Sequence, residues 1–287
     1  MAPLTNGVVP MLAASRPGGS PLDVHGADVK AANQTALITG ASSGIGRDLA
    51  HQFAADGYDL VVVARRAVAL DELIREVTRV HGVKARAISA DLAQPAGARR
   101  IYDELLRDGT AIDVVVNNAG FGMRGTVAEL PLQRQLDMVQ VNITALTELT
   151  RLFLPTMLER NRGGILNVGS TAGFQPGPMM AVYYATKAYV VSFTEALTEE
   201  VAASALRVSC LAPGPTATGF AEEANMTKTR LFRLGTMSAA DVARIGYEGW
   251  KRGKVLVVPG VTNRLGIALV RVSPRFVVRK LLKQLNT

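Results

Sequence analysis

The sequence predicts one α/β domain built on a doubly wound, parallel seven-stranded sheet, and three observations carry that prediction. From Thr35 onward, short β-branched runs alternate with longer segments of helical period. Hydrophobic residues make up 48% of the 287 and charged residues 20%, enough apolar surface for a sizeable core without metal or disulfide. The 27 glycines fall at the ends of apolar runs and not at a fixed period, which excludes collagen, solenoid and low-complexity architectures.

Residues 1–33 are rich in Pro, Gly, Ala and Ser, and Val8 to Ala14 is interrupted by Pro10 with no basic residue before Arg16. They read as a flexible N-terminal extension and make a poor signal peptide. The domain proper is expected over 34–260, with strands at 35–39, 60–64, 85–89, 112–117, 165–168, 207–211 and 255–258. Helices are expected near 45–56, 68–81, 95–108, 131–160, 181–203 and 239–250. Crossovers of this length between parallel strands place ligands beyond the carboxyl ends of the strands, so the loops there are the ones to search.

Composition narrows the function classes. One cysteine and three scattered histidines (His25, His51, His81) exclude an internal disulfide and a Cys/His zinc site, and Cys210 sits in an apolar run as a small core residue. A reducing, cytoplasmic setting fits. No apolar stretch reaches the ~18 residues of a membrane-spanning helix. The formal net charge of +8 is a property of the C-terminus: nine basic residues and no acidic one lie from Lys251 onward, which leaves 23 basic against 24 acidic residues in 1–250. Residues 261–287 form a basic amphipathic tail, in which Val278, Leu281, Leu282 and Leu285 share one helical face and Arg275, Arg279 and Lys283 another. Such a helix suits a membrane surface or packing on its own subunit or a dimer mate, and the packed reading is preferred. No groove-reading motif accompanies the charge, so nucleic acid is not expected as a partner.

The first strand ends in Thr39-Gly40-Ala41-Ser42-Ser43-Gly44-Ile45-Gly46 and enters a helix. Glycines allow a tight turn and the approach of a pyrophosphate to free N–H groups at a helix N-terminus, where the dipole favours negative charge. The second strand ends in Ala64-Arg65-Arg66. An acidic residue here would accept the ribose hydroxyls of NAD, whereas arginine accommodates the 2′-phosphate of NADP. Arg65 and Arg66 either grip that phosphate or open a solvated helix. Tyr183 and Lys187 are four apart in a helical segment and share a face. A nearby ammonium favours a phenolate, so the pair reads as a tuned proton donor, and only Tyr183, not Tyr184, has a lysine at the fourth position. Asn142 stands mid-helix, where asparagine is unfavourable unless its amide has a task. Ser170 follows the fifth strand, within reach of a carbonyl held beside the phenol.

Taken in order, the glycine loop, Asn117-Asn118-Ala119-Gly120, Asn142, Ser170, Tyr183 with Lys187, and Pro213-Gly214-Pro215-Thr216 resemble the short-chain dehydrogenase/reductase family, on a Rossmann-type fold, from about Thr35 to Pro259. The resemblance implies an NADP(H)-dependent oxidoreductase that interconverts a ketone or aldehyde and an alcohol. It assigns catalysis to Asn142, Ser170, Tyr183 and Lys187, with Asn142 supporting a water that links Lys187 to solvent and Lys187 also bonding the nicotinamide ribose. The cofactor would meet Gly40, Ser42, Ser43, Gly44, Ile45, Gly46, Arg65, Arg66, Asn118, Ala119, Gly120, Tyr183, Lys187, Pro213, Gly214 and Thr216, and Asp91 would face its adenine. A homodimer or homotetramer is implied as well. Phe121, Phe174, Met180 and Phe220, with Met123, Met179, Met226, Leu231 and Phe232, suggest an apolar substrate pocket partly covered by a lid over 216–235. A protein that keeps the nucleotide site and has lost the chemistry, a sensor or scaffold, is the alternative. It would not need Asn142, Ser170, Tyr183 and Lys187 together.

Overall fold

The computed structural model describes residues 33–220, 224 and 235–286, so the N-terminal extension and most of the expected lid, with Met226, Leu231 and Phe232, lie outside the described residues. Seven parallel strands form the central sheet: β1 (Thr35–Thr39), β2 (Asp59–Ala64), β3 (Ala85–Ser89), β4 (Val114–Asn117), β5 (Gly164–Val168), β6 (Arg207–Leu211) and β9 (Leu256–Val257). Their order is β3-β2-β1-β4-β5-β6-β9. The chain therefore leaves β1 toward one edge and returns to build the other half from β4, which opens a crevice at the carboxyl ends of β1 and β4.

The inner strands are apolar along their length because both faces are covered. Side chains alternate between two cores: Ala36, Ile38, Val62, Val114 and Val116 point to one, and Leu37, Val61, Val63 and Val115 to the other. The first core is closed by α1 (Gly44–Ala55), α2 (Ala67–His81) and α7 (Ala239–Lys251), where Phe53, Tyr58, Tyr247 and Trp250 form an aromatic cluster with ring centroids 4.7 to 6.5 Å apart. The second is closed by α3 (Gly97–Arg107), α5 (Leu146–Arg160) and α6 (Ala181–Glu200), through residues such as Ile101, Phe153 and Leu197. Fully burying one such side chain stabilises by about 1.5–3 kcal/mol, so these layers hold the strand ends rigidly in place.

Three features differ from the sequence expectation. The segment expected as one helix over 131–160 is α4 (Leu132–Val139), a π-helical stretch (Gln140–Ala145) and then α5. Position 112 precedes β4 because the Asp113 carboxylate bonds the Thr35 N–H at 3.0 Å and Arg162 at 3.1 Å, which ties the strand's start by a side chain. The tail carries a second helix: α8 (Val261–Val272) precedes α9 (Arg275–Asn286). A small parallel pair, β7 (Thr216–Ala217) with β8 (Met237–Ser238), closes the base of the segment that the lid was expected to span.

The tail helix α9 lies on its own subunit. Val278, Leu282 and Asn286 are buried, and the first two pack in a cluster with Met180, Tyr183 and Tyr184. Leu281, grouped with them from the sequence, faces solvent instead, because it lies about 100° around the helix from Leu282 and the inner face is narrow.

Candidate active site

A cleft of about 810 Å³ opens at the carboxyl ends of the strands, lined by the loops after β1, β2, β3, β4, β5 and β6. At one end the glycine loop is shaped by the backbone. Gly40 and Gly44 have φ of +67° and +56°, and a Cβ on Gly40 would stand 2.8 Å from Asn118 Nδ2. Gly46 does not line the cleft: a Cβ there would collide with Asn118 Nδ2 and the Gly40 carbonyl, so this glycine lets α1 pack directly behind the turn. Asn118 Nδ2 donates to the carbonyls of Thr39 and Gly40 at 2.9 and 3.2 Å. Thr39 Oγ1 in turn accepts from the N–H groups of Asn118 and Ala119. The N-cap of α1, Ser43, makes no side-chain bond to the first turn, so those N–H groups are left to the cleft. A cradle of this size, floored by glycines and opening on a helix N-terminus, fits the pyrophosphate of a dinucleotide.

Arg65, Arg66 and Asp91 line the adjoining wall. The Arg66 guanidinium donates to Ser42 Oγ at 3.2 Å, which draws it to the rim of the glycine loop. Asp91 Oδ1 accepts from the Ala93 N–H and so fixes the turn after β3. On the far side, Pro213, Gly214 and Thr216 border the cleft, with Thr216 Oγ1 donating to the Gly214 carbonyl.

The other end is made of buried side chains. Tyr183 and Lys187 lie on α6, Ser170 caps the short turn after β5, and all three line the cleft. Ser170 Oγ accepts from the Ala172 N–H at 3.1 Å. Burial pushes the Tyr183 phenol well above its ordinary range, and a hydrogen bond with Ser170 acts in the opposite sense. Burial lowers Lys187 to about 8. Its Nζ donates to the Val168 carbonyl at 2.8 Å and stands 6.0 Å from the Tyr183 ring centroid, so loss of water decides where both groups titrate.

Asn142 is aimed by the π-helical stretch. Its Oδ1 accepts from the Phe121 N–H at 3.1 Å, and its Nδ2 donates to the Phe121 carbonyl and to Thr186 Oγ1, each at 3.0 Å. The side chain thus clamps the loop after β4 to α6, and Gly120 lies against both Asn142 and Lys187. Asn117 is architectural, bonding Thr150 and Asn167 beneath the cleft floor.

Of the expected substrate-pocket residues, Phe121 and Phe220 line the cleft, Phe220 with its ring centroid 5.4 Å from that of Tyr183. Phe174 and Met180 do not. The turn that begins at Ser170 directs Phe174 outward over α6, where Arg271 lies 5.9 Å from its ring, and Met180 is buried beneath Tyr184 and α9. Tyr184 reaches the cleft wall, but its hydroxyl is tied to the Asn286 side chain at 3.4 Å. Sequence reasoning missed Arg134, which lines the cleft with its guanidinium 4.7 Å from the Phe121 ring centroid, and Gln175. No local signal marks either, because each arrives from a separate loop or helix turn.

A switch-point crevice, a dinucleotide-sized cradle and a buried Tyr–Ser–Lys group thus share one cleft. Residues 34–229 match the short chain dehydrogenase family, and the chain belongs to it. It is 35% identical over 180 residues to the very-long-chain 3-oxoacyl-CoA reductase of Phaeosphaeria nodorum, covering 61% of this chain and 53% of that protein. The chain spans about half the length of the first such curated relatives. A short-chain dehydrogenase from Sphingobium yanoikuyae, solved in complex with NADPH, superposes with a TM-score of 0.74 at 30% identity, covering 84% of this chain and 96% of that one. The bulky-bulky ketone specific alcohol dehydrogenase of Comamonas testosteroni gives 0.70 at 30% identity, covering 83% and 92%.

Proposed function

We propose that this protein uses NADP(H) to interconvert a hydrophobic ketone or aldehyde and its alcohol. The observation that carries the reading is that one cleft holds both the glycine cradle and the Tyr183, Ser170 and Lys187 side chains. The bound nicotinamide supplies or accepts hydride at the carbon that bears the oxygen. In reduction, Tyr183 gives its phenolic proton to that oxygen, and burial keeps the phenol protonated at neutral pH, the form a general acid needs. Ser170 hydrogen-bonds the same oxygen and orients it. Lys187, titrating at about 8, keeps its charge at neutral pH, and in a desolvated site that charge steadies the phenolate left after proton transfer. Asn142 is a positioning residue that holds the loop after β4 against α6.

For the cofactor, Ala64 stands where a carboxylate would repel a 2′-phosphate, and Arg65 and Arg66 line the wall beside it. The NADPH complex of the Sphingobium yanoikuyae relative supports this choice. For the substrate, Phe121 and Phe220 give the catalytic end apolar walls, in keeping with the ketone specificity named for the Comamonas testosteroni relative. The test is NADPH oxidation, followed by absorbance, with a panel of hydrophobic ketones. Turnover of at least one, abolished by Tyr183→Phe, is expected. A preparation that binds NADPH tightly and turns over none would reject the reading.

A further inference from the structure

Outside the cleft, the largest unexplained feature is what α8 and α9 leave facing water. Seven of the fourteen exposed large hydrophobic side chains among the described residues lie between positions 261 and 281. On α8, Val261, Leu265, Leu269 and Val272 are all more than half exposed, and their 4-4-3 spacing puts them on one outward face. No residue of α8 is fully buried, and its inner side rests on the molecule through residues such as Val270. On α9 the inner face is filled by Val278 and Leu282, while Phe276, Val277 and Leu281 remain exposed. A soluble surface does not keep so many apolar groups on two adjoining helices without a partner.

Charge identifies the partner. Arg264, Arg271, Arg275, Arg279 and Lys280 are exposed among these apolar side chains, and the sequence has no acidic residue after position 250. A second copy packed face to face through an isologous contact would set this basic surface against itself, which like-charge repulsion disfavours. Nucleic acid would satisfy the cations and leave the aliphatic face in water. An anionic bilayer satisfies both: acyl chains receive the apolar side chains while headgroups meet the guanidinium and ammonium groups. A groove of about 600 Å³ between the loop at 173–178, α6 and α9 adds a second observation, because Arg275 and Arg279 line it together with Phe174 and Tyr184. That arrangement suits a phosphodiester with its adjoining glyceryl carbons.

We propose that α8 and α9 form a peripheral docking surface for an anionic lipid bilayer. The helices lie on the membrane and do not cross it. Each has 12 residues, about 18 Å long, against the ~30 Å of a hydrocarbon core, and no described helix is long and apolar enough to span one. The exposed faces of α8 and α9 lie outside the cleft, although the groove shares Tyr184 and Gln175 with it, and the test needs neither substrate nor cofactor.

The full chain is sedimented with vesicles of phosphatidylglycerol mixed with phosphatidylcholine, and with pure phosphatidylcholine. Binding at least about tenfold stronger to the anionic vesicles is expected, and raising the salt toward 1 M should weaken it, because the screening length falls from ~10 Å at 0.1 M to ~3 Å. Leu265→Ser with Leu269→Ser alters only exposed side chains, and should lower binding about tenfold with the thermal midpoint unchanged. Arg264→Glu with Lys280→Glu tests the charge without touching an apolar contact and should abolish the preference for phosphatidylglycerol. Three results would each overturn the proposal: no sedimentation with anionic vesicles, equal binding to neutral ones, or binding indifferent to either double variant. A dimer in solution that the Leu265→Ser/Leu269→Ser chain loses, without vesicle binding by the parent, would reassign the surface to self-association.

Discussion

The two ends of the cleft recognise their contents by different physics. At the glycine loop the contacts are offered by the backbone, through a turn that tolerates no Cβ at Gly40 or Gly46 and a helix N-terminus whose first N–H groups are left open. At the opposite end the working groups are side chains taken out of water, and their properties follow from burial: Tyr183 is pushed up and Lys187 down. The first end is sensitive to shape and the second to chemistry, so damage at each should have a different signature.

The sharpest separation is expected from Tyr183→Phe, which keeps the ring and removes the acid. Turnover should fall by about 10² to 10⁴-fold, the usual contribution of general acid-base catalysis, with NADPH affinity within a factor of about two. Stopped-flow turnover combined with fluorescence titration checks this, and a parallel loss of affinity would mean that the ends are not independent.

Gly46→Ala should do the reverse. The added methyl meets the Gly40 carbonyl and Asn118 Nδ2 inside contact distance, so the turn must shift. Overpacking of this kind costs about 1–3 kcal/mol, and NADPH affinity should drop with it while any residual bound complex still turns over. Thermal unfolding with and without NADPH separates the two effects.

A smaller effect is expected at the phosphate-selecting wall. Arg66→Ala should reduce the preference for NADPH over NADH by about tenfold, the worth of one charge-assisted hydrogen bond, and Ala64→Asp with Arg65→Ala should carry it further toward NADH. Equal affinities for the two cofactors in the unmutated protein would show that these arginines serve only the surface.

A test by pH sharpens the chemical end. Lys187 titrates at about 8 when folded and at an ordinary 10.5 when unfolded. Between those values the unfolded chain holds the extra proton, so this residue makes stability rise with pH from about 8 to 10. Lys187→Met removes the term. Its stability relative to the parent should therefore be most favourable below pH 8 and decline toward pH 10 in urea titrations, and a difference independent of pH would show that the ammonium is not desolvated.

The same contrast explains what could be read from the sequence. The β1 and β3 strands, the glycine loop and the Tyr183/Lys187 spacing are local patterns, set by backbone geometry over a few residues, and were legible with their boundaries. Environment was not. That Lys187 turns to Val168, that Phe174 leaves the cleft and that Met180 lies under α9 depend on packing between segments up to a hundred residues apart. Asn142 was singled out by its awkward place in a helix, but the wider turn that aims it has no signature in residue type. Helix α8 escaped notice because its apolar face points outward and a polar residue, Asn263, lies on the opposite side.

That π-helical stretch at Gln140–Ala145 gives the chain a counting constraint. A wide turn holds one residue more than the α-helix around it would use, so the direction in which Asn142 points depends on chain length and not only on composition. Deleting a single residue from this stretch would let an uninterrupted α-helix form with α4 and α5 still in phase, because the wide turn only absorbs the extra residue. Asn142, inside the re-formed turn, would change direction, and the loop it clamps would lose its anchor even though no cleft side chain had been replaced. A change of length within these six residues thus disturbs the site without replacing any of its side chains.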